Sequence, residues 1–127
     1  MPKALYWLVE IARLKLNNIY GLPEADLEAV RQRDKNCVYC HKEMLEPSPD
    51  AKRTDWATIE HLNHFPPWDN PKTIAICCTS CNSSRGNKRI VDWFESRYCK
   101  ERSISPSTVA QPVLAYIIEF EGYEVGD

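Results

Sequence analysis

Two Cys-x2-Cys pairs, Cys37/Cys40 and Cys78/Cys81, stand with 37 residues between them. Two thiolates two residues apart reach one ion from a single tight turn, and two such turns complete a tetrahedron. The pattern predicts one structural Zn2+ held by Cys37, Cys40, Cys78 and Cys81, which closes the long middle segment at its two ends. A small domain with a modest core gains from such a staple. An iron site of the rubredoxin kind has similar spacing; it would colour the protein red, where zinc leaves it colourless. Cys77, adjacent to Cys78, points elsewhere and reads as a buried thiol, and Cys99 reads as core. His41 could replace a ligand, but four cysteines leave little need for it.

A second set of reactive types lies between and just after the knuckles. Thr58-Ile59-Glu60-His61-Leu62 puts an acid beside a histidine, and Asn82-Ser83-Ser84-Arg85-Gly86-Asn87-Lys88 follows directly on Cys81. Taken singly these are ordinary. Acid–histidine neighbours are common on surfaces, and Asn is a preferred helix N-cap. Their meaning depends on the elements that carry them.

Residues 3–18 keep Leu5, Leu8, Ala12 and Leu16 at helical spacing, continued by Ile19, until Gly21 breaks the pattern. Pro23 suits the first turn of a second helix, with Glu24 and Asp26 at its positive end, closing near Asp34. Residues 37–41 form a knuckle and 45–55 a loop. Ala57 to Leu62 reads as a strand, the proline-rich stretch 63–72 as an excursion loop, and Lys72 to Cys77 as a second strand. A third helix should run from about Asn82 to Lys100, with Ile90, Val91, Phe94 and Tyr98 on one face. Gly86 in its early turns would cost about 1 kcal/mol. Ser105-Pro106 reads as the cap and first turn of a last helix with Val109, Val113, Ile117 and Phe120 as its stripe. Pro112 marks a kink or a fresh start within it.

The order of knuckle, acid–His strand, loop, strand, C-x-x-C-N and basic helix resembles the zinc-bound branch of the HNH nucleases, over residues 37–92. The resemblance implies an α+β fold: a zinc-clamped β-hairpin plus helix core, the ββα-metal arrangement, with flanking N- and C-terminal helices. On this reading residues 1–127 are one domain. Residues 1–36 hold N-terminal helices, 37–100 the zinc-bound core and 101–127 a C-terminal helical extension. The resemblance also assigns roles. His61 would be the general base, and Glu60 and Asn82 would hold a catalytic divalent metal. The family's middle asparagine, which braces the loop beside the base, falls nine residues before the helix ligand, and Thr73 stands there. Asn70 is the nearest asparagine.

Phosphodiester hydrolysis explains why such types recur together. It needs water deprotonated near neutral pH, where histidine titrates. It needs a cation on the charge of the leaving oxygen, and a carboxylate with an amide oxygen suits Mg2+ or Mn2+. Arg85 and Lys88 would hold phosphates. Neighbours on a strand point to opposite faces, so Glu60 and His61 share a site only if the strand ends, twists or bulges there. On this reading Glu60→Ala leaves the fold intact and abolishes metal-stimulated cleavage.

Composition sets limits on partners. The chain has 127 residues, 43% hydrophobic and 27% charged, with formal net charge −2. It is globular in composition and not a DNA-coating protein by charge. The stretch Asn82 to Arg102 holds six Lys or Arg against three acids, so any contact with double-stranded DNA is local. Arg97, Lys100 and Arg102 read as a solvated face. Trp7, Trp56, Trp68 and Trp93 read as anchors, with Trp68 and His64 in the loop as candidate substrate contacts. With no signal peptide or membrane span in view, the chain reads as cytoplasmic.

The activity implied is a metal-dependent DNA endonuclease leaving 5′-phosphate and 3′-hydroxyl ends. A double-strand break would need a homodimer or a larger DNA-processing partner. The rival from another class is a non-catalytic zinc-binding module for DNA or protein, favoured by Thr73.

Overall fold

The computed structural model describes residues 20–63, 65–67 and 70–126. The helix expected over 3–18, Trp7, His64 and Trp68 lie outside the described residues. The fold is a small α+β arrangement: a two-stranded antiparallel hairpin, several helices and a cluster of cysteines. Helix α1 (Glu24–Arg33) begins after Pro23, as its first-turn acids Glu24 and Asp26 require, and Arg31 and Arg33 face the opposite dipole end. Strands β1 (Ala57–His61) and β2 (Ile74–Cys78) pair in regular register, Thr58 with Cys77, Glu60 with Ala75 and His61 with Ile74. Every residue of β2 is buried, which its apolar IAICC sequence permits.

The first knuckle lies along β2. Cys37 N–H donates to Lys42 O at 3.0 Å, His41 N–H to Cys37 O at 2.9 Å, and Val38 N–H to Ile76 O at 3.3 Å. His41 takes φ 65° to close this turn. Helix α2 (Thr79–Arg85) follows β2 without a linker. It starts three residues before the expected Asn82, because Cys78 Sγ accepts the Cys81 N–H at 3.4 Å and serves as the cap.

One long third helix is not what forms. Gly86 adopts φ 55° and ends α2, and two short helices, α3 (Ile90–Trp93) and α4 (Arg97–Arg102), follow it. Of the expected face, Ile90 and Phe94 are buried and Val91 and Tyr98 partly buried, while Trp93, outside that face, is buried as well. The breaks come from local chemistry that the spacing ignores. Ser96 caps α4 by accepting from Cys99 N–H at 3.2 Å. The buried Glu121 carboxylate caps α3 from a distance, accepting from Ile90 N–H at 3.0 Å and Val91 N–H at 2.9 Å. At the C-terminus, Ser105 and Pro106 form a turn, and the last helix, α5 (Gln111–Phe120), is a fresh start with Pro112 in its first turn. Val113 and Ile117 are buried as expected, joined by Tyr116, while Phe120 is exposed.

The core joins Tyr39, Ile74, Ile76, Ile90, Trp93 and Ile117 around the hairpin. Tyr39 meets Trp93 edge to face at 4.8 Å. Trp56 anchors the loop before β1 through its indole N–H to Ala51 O at 3.1 Å. Among the described residues no helix is long and apolar enough to cross a membrane.

Asp34 ties α1 to the hairpin. Its buried carboxylate accepts from Ile76 N–H at 3.0 Å and takes both Arg33 Nε and Nη2 at 2.7 Å. Asp34→Ala leaves a buried N–H without its acceptor and is expected to cost about 1–3 kcal/mol. The urea midpoint checks this; an unchanged midpoint would show that the tie contributes nothing.

Candidate functional site

Cys37, Cys40, Cys78 and Cys81 come together as the spacing required. Their four Sγ atoms lie within 4.8 Å of one another, and Cys40 and Cys78 are 3.9 Å apart. Four sulfurs tetrahedral about an ion at ~2.3 Å would be ~3.8 Å apart. The cluster is therefore positioned to bind one metal ion. The four thiols are close enough to pull one another apart in acidity. Hydrogen bonds from Cys37 hold Cys40 and Cys78 below the ordinary thiol range, while Cys37 and Cys81 are pushed above it by hydrogen bonds with Cys40 and Cys37 respectively. A divalent ion removes that competition by favouring all four thiolates at once. Cys77 and Cys99 are buried outside the cluster, and His41 turns its ring to Thr108 O.

Beside this centre, the hairpin and α2 enclose a buried polar group. Glu60 and Arg85 are both 0% exposed. Tyr39 Oη donates to Glu60 Oε2 at 2.9 Å, and Arg85 Nη1 lies 3.5 Å from Glu60 Oε1. Arg85 then donates from all three nitrogens at 2.6 Å, Nε to Lys88 O, Nη1 to His61 O and Nη2 to Leu62 O. Its guanidinium thus clamps the end of β1 to the end of α2. Oε1 of Glu60 has no hydrogen-bond partner. Burial pushes the Glu60 carboxyl up to about 7, against the opposing pull of Arg85 and the Tyr39 hydroxyl.

These contacts change two expected roles. Arg85 is an interior brace and not a surface phosphate contact, because its guanidinium is enclosed and each of its three nitrogens already donates to a carbonyl. Lys88 is exposed, with Nζ donating to Ser84 O at 3.2 Å, and stays available to an anion. Glu60 is the counter-ion of Arg85, so it is not a residue that can be removed without consequence for folding.

Asn82 is half-buried, its amide 3.5 Å from Thr58 Oγ1. Thr58 and Glu60 share a strand face, and Asn82 and Arg85 are one turn apart on α2. So α2 lays Asn82 and Arg85 along the Thr58–Glu60 face. The β1 register runs through His61 without a bulge, and alternation gives His61 the other face. There its ring meets Tyr20 edge-on at 5.5 Å. The structure thus brings Glu60 and Asn82 to one interface and sets His61 at the strand end behind it. His61 Nδ1 lies 2.9 Å from Asn63 O. A carbonyl only accepts, so Nδ1 is the donor in this contact. Burial, foremost, lowers the His61 pKa from its ordinary value and favours the neutral ring.

The loop beside His61 is braced by Thr73 and Asn70. Leu62 N–H donates to Thr73 O at 2.7 Å, Thr73 Oγ1 to Asn70 O at 3.1 Å, and Lys72 N–H to Asn70 Oδ1 at 2.9 Å. Asn63 Nδ2 donates to Phe65 O and Pro67 O, each at 2.7 Å. Tyr39 and Asn63 carry these arrangements, and neither had a spacing or type signal that singled it out.

Compared with known proteins, the chain matches no family model, no curated protein and no solved structure.

Two variants test this geometry. Cys78→Ser removes one ligand and leaves a side chain that can still cap α2; it is expected to lose the metal and to lower Tm by more than about 10 °C. An unchanged melting curve with full metal content would refute a structural site. Glu60→Ala strands the Arg85 charge in the interior, and a loss of about 3–5 kcal/mol is expected in chemical unfolding. A loss near zero would mean that the buried pair does not form.

Proposed function

We propose that this protein is a metal-dependent DNA endonuclease of the HNH kind, built on a zinc-held hairpin and helix, with His61 as general base. The observation that carries this reading is the state of His61. Its Nδ1 lies 2.9 Å from the Asn63 carbonyl, and its own carbonyl and that of Leu62 are clamped by Arg85, so the ring is oriented at the end of its strand. A histidine oriented by a carbonyl at Nδ1 has the arrangement that general-base catalysis uses. Four thiolate donors in tetrahedral spacing suit Zn2+ at the structural site.

A second cation is supported by the donor set beside α2. Glu60 Oε1 is a buried carboxylate oxygen with no hydrogen bond, and Asn82 supplies an amide along the same interface. Glu60 and Asn82 would hold Mg2+ or Mn2+, which supplies positive charge for the leaving oxygen. Lys88 and Arg89, exposed beyond the α2 turn, would meet flanking phosphates, and DNA binding should weaken as salt rises.

Two observations favour a second reading, a non-catalytic zinc module that binds DNA or protein. Alternation sets His61 on the opposite strand face from Glu60 and Asn82, away from a cation those two would hold. The Glu60–Arg85 pair is enclosed, and a guanidinium already neutralises the carboxylate that a catalytic cation would need. Supercoiled plasmid with Mg2+ or Mn2+ separates the two. The nuclease reading expects nicking by the wild type and a fall of at least about 100-fold in His61→Ala, with structural metal retained. No nicking by the wild type, or equal nicking by both proteins, leaves the binding module standing.

A further inference from the structure

Tyr98, on α4, reaches back to the second knuckle. Its hydroxyl lies 3.3 Å from Cys81 Sγ and 2.8 Å from Ser80 Oγ. A phenol has one proton to donate. Given to the sulfur, it leaves the phenol oxygen to accept from the Ser80 hydroxyl, so two O–H groups in series end on one thiolate. The Arg102 guanidinium lies 3.7 Å from the centroid of the Tyr98 ring, and Nη1 donates to Tyr98 O at 3.1 Å. A cation over the ring draws electron density from it and makes the hydroxyl a stronger donor. The ring is also stacked on Trp93 at 6.0 Å, which fixes its direction independently of the sulfur.

A dication bound by four thiolates keeps a net negative charge, and hydrogen bonds into sulfur disperse it. Cys78 Sγ has such a bond from the Cys81 N–H at 3.4 Å. We propose that the Tyr98 hydroxyl is part of the metal centre: it donates to the Cys81 thiolate, withdraws charge from that sulfur and slows loss of the ion. Tyr98 is a positioning residue in this role and touches no substrate. The inference rests on the four-cysteine metal site and is independent of nuclease activity. It also gives α4 a purpose, since the helix delivers one hydroxyl to the second knuckle.

The test uses Co2+ in place of the native ion, in wild type, Tyr98→Phe and Ser80→Ala. Phenylalanine keeps the ring against Trp93 and under Arg102 and removes only the hydroxyl. A thiolate relieved of a hydrogen bond holds its electrons less tightly. The sulfur-to-cobalt charge-transfer band of Tyr98→Phe should therefore move to longer wavelength, while the ligand-field bands of a tetrahedral site stay in place. Chelator competition should show Co2+ and Zn2+ affinity weakened about 10–100-fold, and Ser80→Ala should shift both readouts the same way by less. An unmoved charge-transfer band with unchanged affinity in Tyr98→Phe overturns the proposal. If that variant does not fold, an unmoved band and affinity in Ser80→Ala overturn it instead. Failure of the wild type to bind Co2+ at all would fall on the metal site itself, and the proposal would go with it.

Discussion

Four sulfurs from two distant turns converge within 4.8 Å, and the rest of the structure depends on that convergence. The residues between Cys40 and Cys78 contain the loop, both strands and the excursion between them. Cys78 is at once the last residue of β2, a member of the cluster and the cap of α2. An ion there fixes the angle at which the helix leaves the strand, and that angle decides which α2 side chains lie over β1. The first knuckle completes the arrangement by hydrogen-bonding Val38 to Ile76 in the middle of β2 and accepting Ala110 N–H at Val38 O, which seats the start of α5.

Within that frame Arg85 is the second organising group. A buried charge is tolerated only when paired and fully hydrogen-bonded. Arg85 is paired with Glu60 and donates from each of its three nitrogens, and in doing so it holds the carbonyls of His61 and Leu62 and the Lys88 carbonyl that follows the α2 turn. The direction of the His61 backbone is therefore set from beneath by a helix that the metal cluster has placed. This couples the metal centre to the strand end through covalent and hydrogen-bonded steps that can be named one by one.

Much of this was legible because it is local in sequence. The two Cys-x2-Cys spacings, the first-turn acids of α1 and the two strands all act over a few residues; the strands, expected over 57–62 and 72–77, form at Ala57–His61 and Ile74–Cys78, with Pro71–Thr73 a short turn before the second. By spacing alone Gly86 is a tolerated fault in a long helix; its positive φ ends one. The Glu121 carboxylate capping α3 and the Tyr98 hydroxyl on Cys81 join residues far apart, and no periodicity carries that information. Arg85 illustrates the hardest case. Its type and place after the second knuckle point to phosphate, yet an arginine one turn beyond Asn82 faces the strand, and only the packing reveals that its partners are carbonyls and Glu60.

The account stands on one ion bound by four thiolates. X-ray absorption at the zinc edge of the purified protein tests this most directly. The account predicts a shell of four sulfur scatterers at ~2.3 Å with no nitrogen or oxygen ligand. A mixed shell with fewer than four sulfurs, or a protein that carries no zinc, would contradict it.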